Sequence, residues 1–332
     1  MRLENLLALT GAKLVNKPCI NNFENIVFDA KRIKRGDLYI AKDIDTINLA
    51  VINGAYGIVY DGQTPFMFDD EIAWIQVDNI EKALEKLLRF RLIENEIIVY
   101  KCDEIVFKLA AQIITDDNFI VMTQESDKIF KQLWQLPYKT TLLFCPSLQN
   151  SDLFTNIKSI STLPSLSIEI IEQTLFETSF IYDNKYYERQ FISPFFIPYL
   201  EELFHLYRSL HINFKLKKFT SIDNFEAVFT NKNLEIKDFG ASNKVLIFEK
   251  NSALIEKEIE FLQQKAPWAN IIYILPDTIN YRNTTNIIKY QNDNEIVTLL
   301  KQSDFHFALV VGVDKSILTL STINQAKSLF EV

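Results

Sequence analysis

The chain has 332 residues, 48% hydrophobic and 23% charged, ordinary globular values that exclude disordered and fibrous classes. Lys plus Arg number 35 against 43 Asp plus Glu, and the net charge of -8 argues against broad nucleic-acid or anionic-membrane binding. With no apolar run of about eighteen residues and only three scattered cysteines, neither a membrane span, a disulfide framework nor a zinc quartet is expected. A cytoplasmic, multi-domain protein without a secretory signal is the expectation.

In chain order, Gly36-Asp37 reads as a tight turn ahead of an apolar strand, and Gly54 and Gly57 flank a helix-to-strand junction. Tyr56–Tyr60 and Ile72–Val77 are continuous apolar runs of the kind found in buried parallel strands. Asp78 or Asn79 can cap a helix whose Ala83, Leu84, Leu87 and Leu88 share one face. Strands follow at Ile97–Tyr100, Phe119–Met122 and Thr141–Cys145, with Ile105, Leu109 and Ile113 at helical spacing among them. Phe176 to Tyr182, then Asp183-Asn184-Lys185, then Tyr186 to Phe191 reads as a hairpin with an Asp-Asn turn. Pro194 and Pro198 precede a helical stripe of Leu200, Leu203, Phe204, Tyr207 and Leu210. Val245–Glu249, a helix bearing Ile255, Ile259 and Leu262, Ile271–Leu275, Asn286–Tyr290 and Phe307–Val311 complete the alternation. This pattern predicts an α/β protein of mostly parallel sheets flanked by helices, with a β-hairpin in its middle. Seams are expected near Glu94–Glu96 and Thr230–Asp238.

Seven glycines stand where average usage would give roughly 23. None builds a GxxxxGK[ST] phosphate loop or a GxGxxG turn, so no Walker-type nucleotide site is recognisable. His205, His211 and His306 are isolated, and Cys145 lacks an identifiable His partner, so none reads as catalytic.

The segment Phe28-Asp29-Ala30-Lys31-Arg32-Ile33-Lys34-Arg35-Gly36-Asp37-Leu38-Tyr39-Ile40-Ala41 resembles the DSRxxxxGDLFVA opening of the Mur ligases. Those are the ATP-dependent amino-acid ligases of peptidoglycan precursor synthesis, and members adding diaminopimelate or D-alanyl-D-alanine look nearest. Asn53-Gly54-Ala55-Tyr56-Gly57-Ile58-Val59 and Ile75-Gln76-Val77-Asp78-Asn79 with Ala83-Leu84 continue the likeness. It implies three domains: a UDP-binding-type domain over 1–95, a shortened ATPase-like domain over 96–230 and a C-terminal α/β domain over 231–332. It also implies remnant nucleotide-binding positions at Asp29, Ala30, Lys31, Gly36 and Asp37. Ala30 and Lys31 replace the family's serine and arginine, removing a hydroxyl and a bidentate guanidinium.

Where a family member carries a GTxGKT loop, this chain has Lys101-Cys102-Asp103-Glu104, with no glycine and two carboxylates. Cys145 stands near the family's metal-binding glutamate, and Pro194-Phe195-Phe196-Ile197-Pro198 replaces its HN-x-x-N helix start. Phe225 to Phe229 is similar to the boundary before the last domain, and Glu249 and Asn251 keep the character of the family's next polar segment. Holding a γ-phosphate, magnesium and developing charge requires these parts together. The leading expectation is therefore a non-catalytic Mur-ligase-like protein in peptidoglycan synthesis or cell-shape control, with no catalytic residues, metal or cofactor. Its expected partners are peptidoglycan-synthesis enzymes, cell-shape proteins or a UDP-muramyl nucleotide. Two alternatives stay open: a divergent UDP-MurNAc-peptide amino-acid ligase using ATP and Mg, and a scaffold using the aromatic Phe176–Tyr199 segment.

Overall fold

A computed structural model of the chain describes residues 1–66, 69–149, 151–161, 167–242, 244–279, 281 and 285–319. The chain divides into two compact units, one formed by Met1–Cys102 with Asp117–Ser159, the other by Asp103–Asp116 with Ile160–Val332.

The first unit holds two sheets. Its N-terminal sheet runs in the order Lys13–Leu14, Ala73–Gln76, Gly57–Tyr60, Leu38–Ile40, Ile26–Val27, parallel except for the antiparallel edge strand at Lys13. Alternation in these strands divides two apolar layers. Tyr39, Ile58, Trp74 and Tyr60 face one cluster with Ile47 and Ala50, while Leu38, Ile40, Val59, Ala73 and Ile75 face Leu3, Leu6 and Leu87. The helix Ile80–Glu94 starts where Asn79 accepts a hydrogen bond from the Lys82 N–H at 2.8 Å, and it buries Ala83, Leu87 and Leu88. A second, wholly parallel sheet runs Ile157–Ser159, Ile98–Lys101, Thr141–Phe144, Phe119–Val121.

The second unit contains the hairpin. Thr178–Tyr182 pairs with Lys185–Gln190, and Asp183 and Asn184 take φ of 49° and 58°, the left-handed pair that a type I′ turn requires. A third strand, Glu169–Gln173, extends it. The last sheet runs Glu226–Thr230, Lys244–Glu249, Phe307–Val311, Ile271–Pro276, Ile287–Tyr290, and only the Glu226 strand is antiparallel. The helix Ile255–Lys265 buries Ile255, Ile259 and Leu262, and Ile197–Ser209 buries Leu200, Leu203, Phe204 and Tyr207.

Each apolar run from the sequence forms a strand, within a residue at either end. The Ile105 helix differs from expectation in length: it ends at Ala110, and Ile113 is buried beyond its end rather than on its face. Four of the nine aromatics of the 176–199 segment are core, and Phe176, Tyr187 and Tyr199 are half-buried. Phe180, Tyr182, Phe195 and Phe196 are buried, and Tyr186 and Phe191 are exposed.

Gly57 sits where the first sheet tolerates no side chain. A Cβ there would lie 2.6 Å from Phe23 Cε1 and 2.9 Å from Leu38 Cδ1. Gly57→Ala is expected to destabilise the first unit by about 1–3 kcal/mol. The check is urea unfolding followed by the fluorescence of the buried Trp74, with part of the loss restored when Phe23→Leu is added.

Candidate functional site

The positions that the resemblance marks as a nucleotide site lie close together around the start of the Leu38 strand, and Asp29, Ala30 and Asp37 are engaged internally. Asp29 caps a short 3-10 turn, its Oδ1 accepting from the Lys31 N–H at 3.0 Å, and its other oxygen pairs with Arg32 at 3.4 Å. Ala30 is buried and its carbonyl accepts from Asn53 Nδ2 at 2.8 Å. Lys31 is exposed. Gly36 has φ of 100°, which reserves the position for glycine. Asp37 is buried, with Oδ1 accepting from Asn25 Nδ2 at 2.8 Å and Oδ2 from the Lys34 N–H at 2.9 Å. Gly36-Asp37 thus pins the loop leading into the Leu38 strand.

Lys101 is exposed at the end of its strand, and Cys102 is buried with Sγ 3.5 Å from the Phe144 carbonyl. The chain passes into the second unit after Cys102, where Asp103 caps the helix Glu104–Ala110 by accepting from the Val106 N–H at 3.0 Å. Burial pushes the Asp103 carboxyl up, although helix N–H groups and Lys257 oppose that.

Glu104 accepts from Lys108 Nζ at 2.5 Å and from Asn251 Nδ2 at 3.2 Å. The same Lys108 ammonium lies 2.6 Å from Asp223 and donates to Asn224 Oδ1 at 2.7 Å. Burial disfavours its charge, but Asp223 and Glu104 outweigh burial and hold the group above its usual range. Asn224 in turn donates to both oxygens of Glu249, at 3.0 and 3.4 Å. Glu249 also accepts from the Phe225 N–H at 3.0 Å and the Asn251 N–H at 2.6 Å. This network joins a helix head, the loop before the Glu226 strand and the C-terminal end of the Lys244 strand.

Behind it lies Glu258, wholly buried on the helix Ile255–Lys265. Its oxygens accept no hydrogen bond, and burial followed by the adjacent Glu249 pushes its pKa well up, favouring the neutral acid. In that form it has a proton to donate to Glu249. Tyr199 stands beside this acidic group, its phenol pushed up to about 12 by burial and then by Asp103, Glu258, Glu202 and Glu249. Chemically the cluster repels anions and consumes its own cation. Among the described residues no group of three or more His, Cys, Asp or Glu side chains could hold a metal ion, and no helix is long and apolar enough to cross a membrane.

No family model and no curated protein matches this sequence. Solved structures do. The chain is similar to MurF from Acinetobacter baumannii, with a TM-score of 0.52, 9% identity and 98% of each chain covered. It is also similar to the MurF ligase from Thermotoga maritima solved in complex with ADP, with a TM-score of 0.50, 11% identity, and 89% of this chain and 95% of that chain covered. The chain has the Mur-ligase fold. Within that fold the motif positions read from the sequence fall on a Gly36 turn, a capped helix head at Asp103 and the polar end of the Lys244 strand.

Glu104, Glu249 and Asn251 stood out in the sequence as single residues. Asp223, Asn224 and Glu258 did not, because nothing in linear spacing connects them. Glu258 carries a testable sign. A carboxyl raised above the ordinary glutamate value of 4.5 binds its proton more tightly when folded, so it costs stability increasingly as pH climbs above that value. Glu258→Gln is expected to stabilise the second unit at pH 8, with the gain shrinking toward pH 4.5, in thermal melts across that range. Asn224→Ala, which leaves Glu249 short of a buried donor, is expected to cost about 2–4 kcal/mol in the same assay.

Proposed function

We propose that the chain is a Mur-ligase-like protein of peptidoglycan precursor metabolism or cell-shape control that acts by binding and does not drive ligation with ATP. In this reading its three segments, 1–95, 96–230 and 231–332, keep the family's domain order. Peptidoglycan-synthesis enzymes, cell-shape proteins or a UDP-muramyl nucleotide are the partners.

The observation that carries the reading is the state of Lys108. A phosphate-binding lysine must present its ammonium to the ligand, beside backbone N–H groups free to turn inward. Here Glu104, Asp223 and Asn224 surround the ammonium, and the Val106 N–H is taken by Asp103. A triphosphate approaching this helix would meet two carboxylates and no free cation from it. Substitution of the family's serine and arginine by Ala30 and Lys31, with Asp29 and Asp37 already hydrogen-bonded within the loop, supports a weakened uridine site as well.

Thermal-shift titration of the full chain tests this. Mg-ATP at a hundredfold excess over a dissociation constant would add about 2.7 kcal/mol of apparent stability if it bound. The expected result is no shift with Mg-ATP and no phosphate release in the presence of UDP-MurNAc-peptide. A Mg-ATP shift with muramyl-peptide-stimulated phosphate release would overturn the proposal in favour of a divergent ligase. A shift with the muramyl nucleotide alone would make the chain a precursor sensor or carrier.

A further inference from the structure

A second feature of the same C-terminal sheet lies at the opposite ends of its strands and is independent of the reading above. Glu249 closes the Lys244 strand, whereas Val245 and Phe307, which are register partners, lie at the beginnings of theirs. At that beginning edge is a cleft of about 710 Å³, a volume suited to a small organic molecule.

Its wall is a continuous arc of rings. Trp268 lies 6.0 Å from Phe307, Phe307 lies 6.1 Å from Phe176, Phe176 lies 5.9 Å from Phe229, and Phe229 lies 4.8 Å from Phe239. Trp268 is 70% exposed although it sits in a short loop between the Ile255 helix and the Ile271 strand. A large indole left so open at the mouth of an aromatic cleft is a stacking surface without a stacked partner.

The cleft is lined by two cationic side chains, Arg189 and Lys265, by His306 and by one carboxylate. His306 Nδ1 accepts from the Asn270 N–H at 2.9 Å, which places the neutral ring's proton on Nε2. Lys265, in the last turn of its helix, has no carboxylate partner among the described residues. Arg189 lies 3.2 Å from Glu177, the one carboxylate of the lining, so the cleft has an excess of positive charge on a chain whose net charge is -8.

We propose that this cleft binds a planar aromatic molecule carrying an anionic group, the ring stacked on the exposed indole of Trp268 with the edge of Phe307 beside it and the anion met by Lys265 and His306. Aromatic walls supply face contacts that tolerate many ring systems, and the donors select for negative charge. Carboxylate, sulfonate and phosphate are equivalent in this respect.

The test uses the full chain and two dyes with one shared ring system. 1-Anilinonaphthalene-8-sulfonate carries the anion, and N-phenyl-1-naphthylamine lacks it. The sulfonate is expected to bind once per chain, with energy transfer from tryptophan, and about tenfold more tightly than the neutral dye. Trp268→Ala is expected to weaken both dyes about tenfold, and Lys265→Glu to weaken only the sulfonate, about fivefold. Both residues are exposed, so unchanged melting temperatures will confirm intact folding. Equal affinity for the two dyes, or sulfonate binding indifferent to Trp268→Ala, would overturn the proposal.

Discussion

The second unit depends on the burial of one acceptor, Glu249. A carboxyl group placed wholly out of water must have its lone pairs met, and here an amide side chain and two backbone N–H groups meet them. That requirement fixes Asn224 and Asn251 in space, and through them Lys108 and Glu104. The geometry at the head of the Glu104 helix is therefore a consequence of charge balance several residues away. Glu258 extends the same logic: burial and the neighbouring Glu249 both disfavour a second charge in that space.

Most of the fold was legible in the sequence, because parallel strands buried on both faces appear as unbroken apolar runs. Ile271 to Leu275 and Phe307 to Val311 could be read directly. Lys13–Leu14, Ile26–Val27 and Phe214–Lys215 could not, since two residues carry no periodicity and pairing alone defines them. The Asp-Asn hairpin was readable because its turn demands left-handed backbone, which few residue types supply.

The candidate site was far less legible. Asp37, read from the sequence only as part of a tight turn and of a nucleotide-site resemblance, is buried and anchored by Asn25 and the Lys34 N–H. Glu258 lies in Glu256-Lys257-Glu258-Ile259-Glu260, which looks like a solvated helix face, yet it points inward. Long-range pairs such as Lys108 with Asp223 leave no mark on local sequence, so the internal neutralisation of the lysine emerges only from three-dimensional contacts. Trp268 and His306 were likewise separate residues until the strand register set them against one another.

In the reading proposed above, in which this helix head has lost a phosphate cradle, the arrangement around Lys108 also bears on how reversible that loss is. Glycine at Asp103 would release the Val106 N–H but leave the ammonium held by Glu104, Asp223 and Asn224. Removing Asp223 would loosen the ammonium while the capping carboxylate still faced the incoming anion. Freeing Asn224 would strip a donor from Glu249 and set the buried acid pair against each other. No single replacement reopens the helix head, and the intermediate sequences carry either an unpaired buried charge or an obstructed cradle. The network thus acts as a ratchet, making the present electrostatic arrangement easier to keep than to leave.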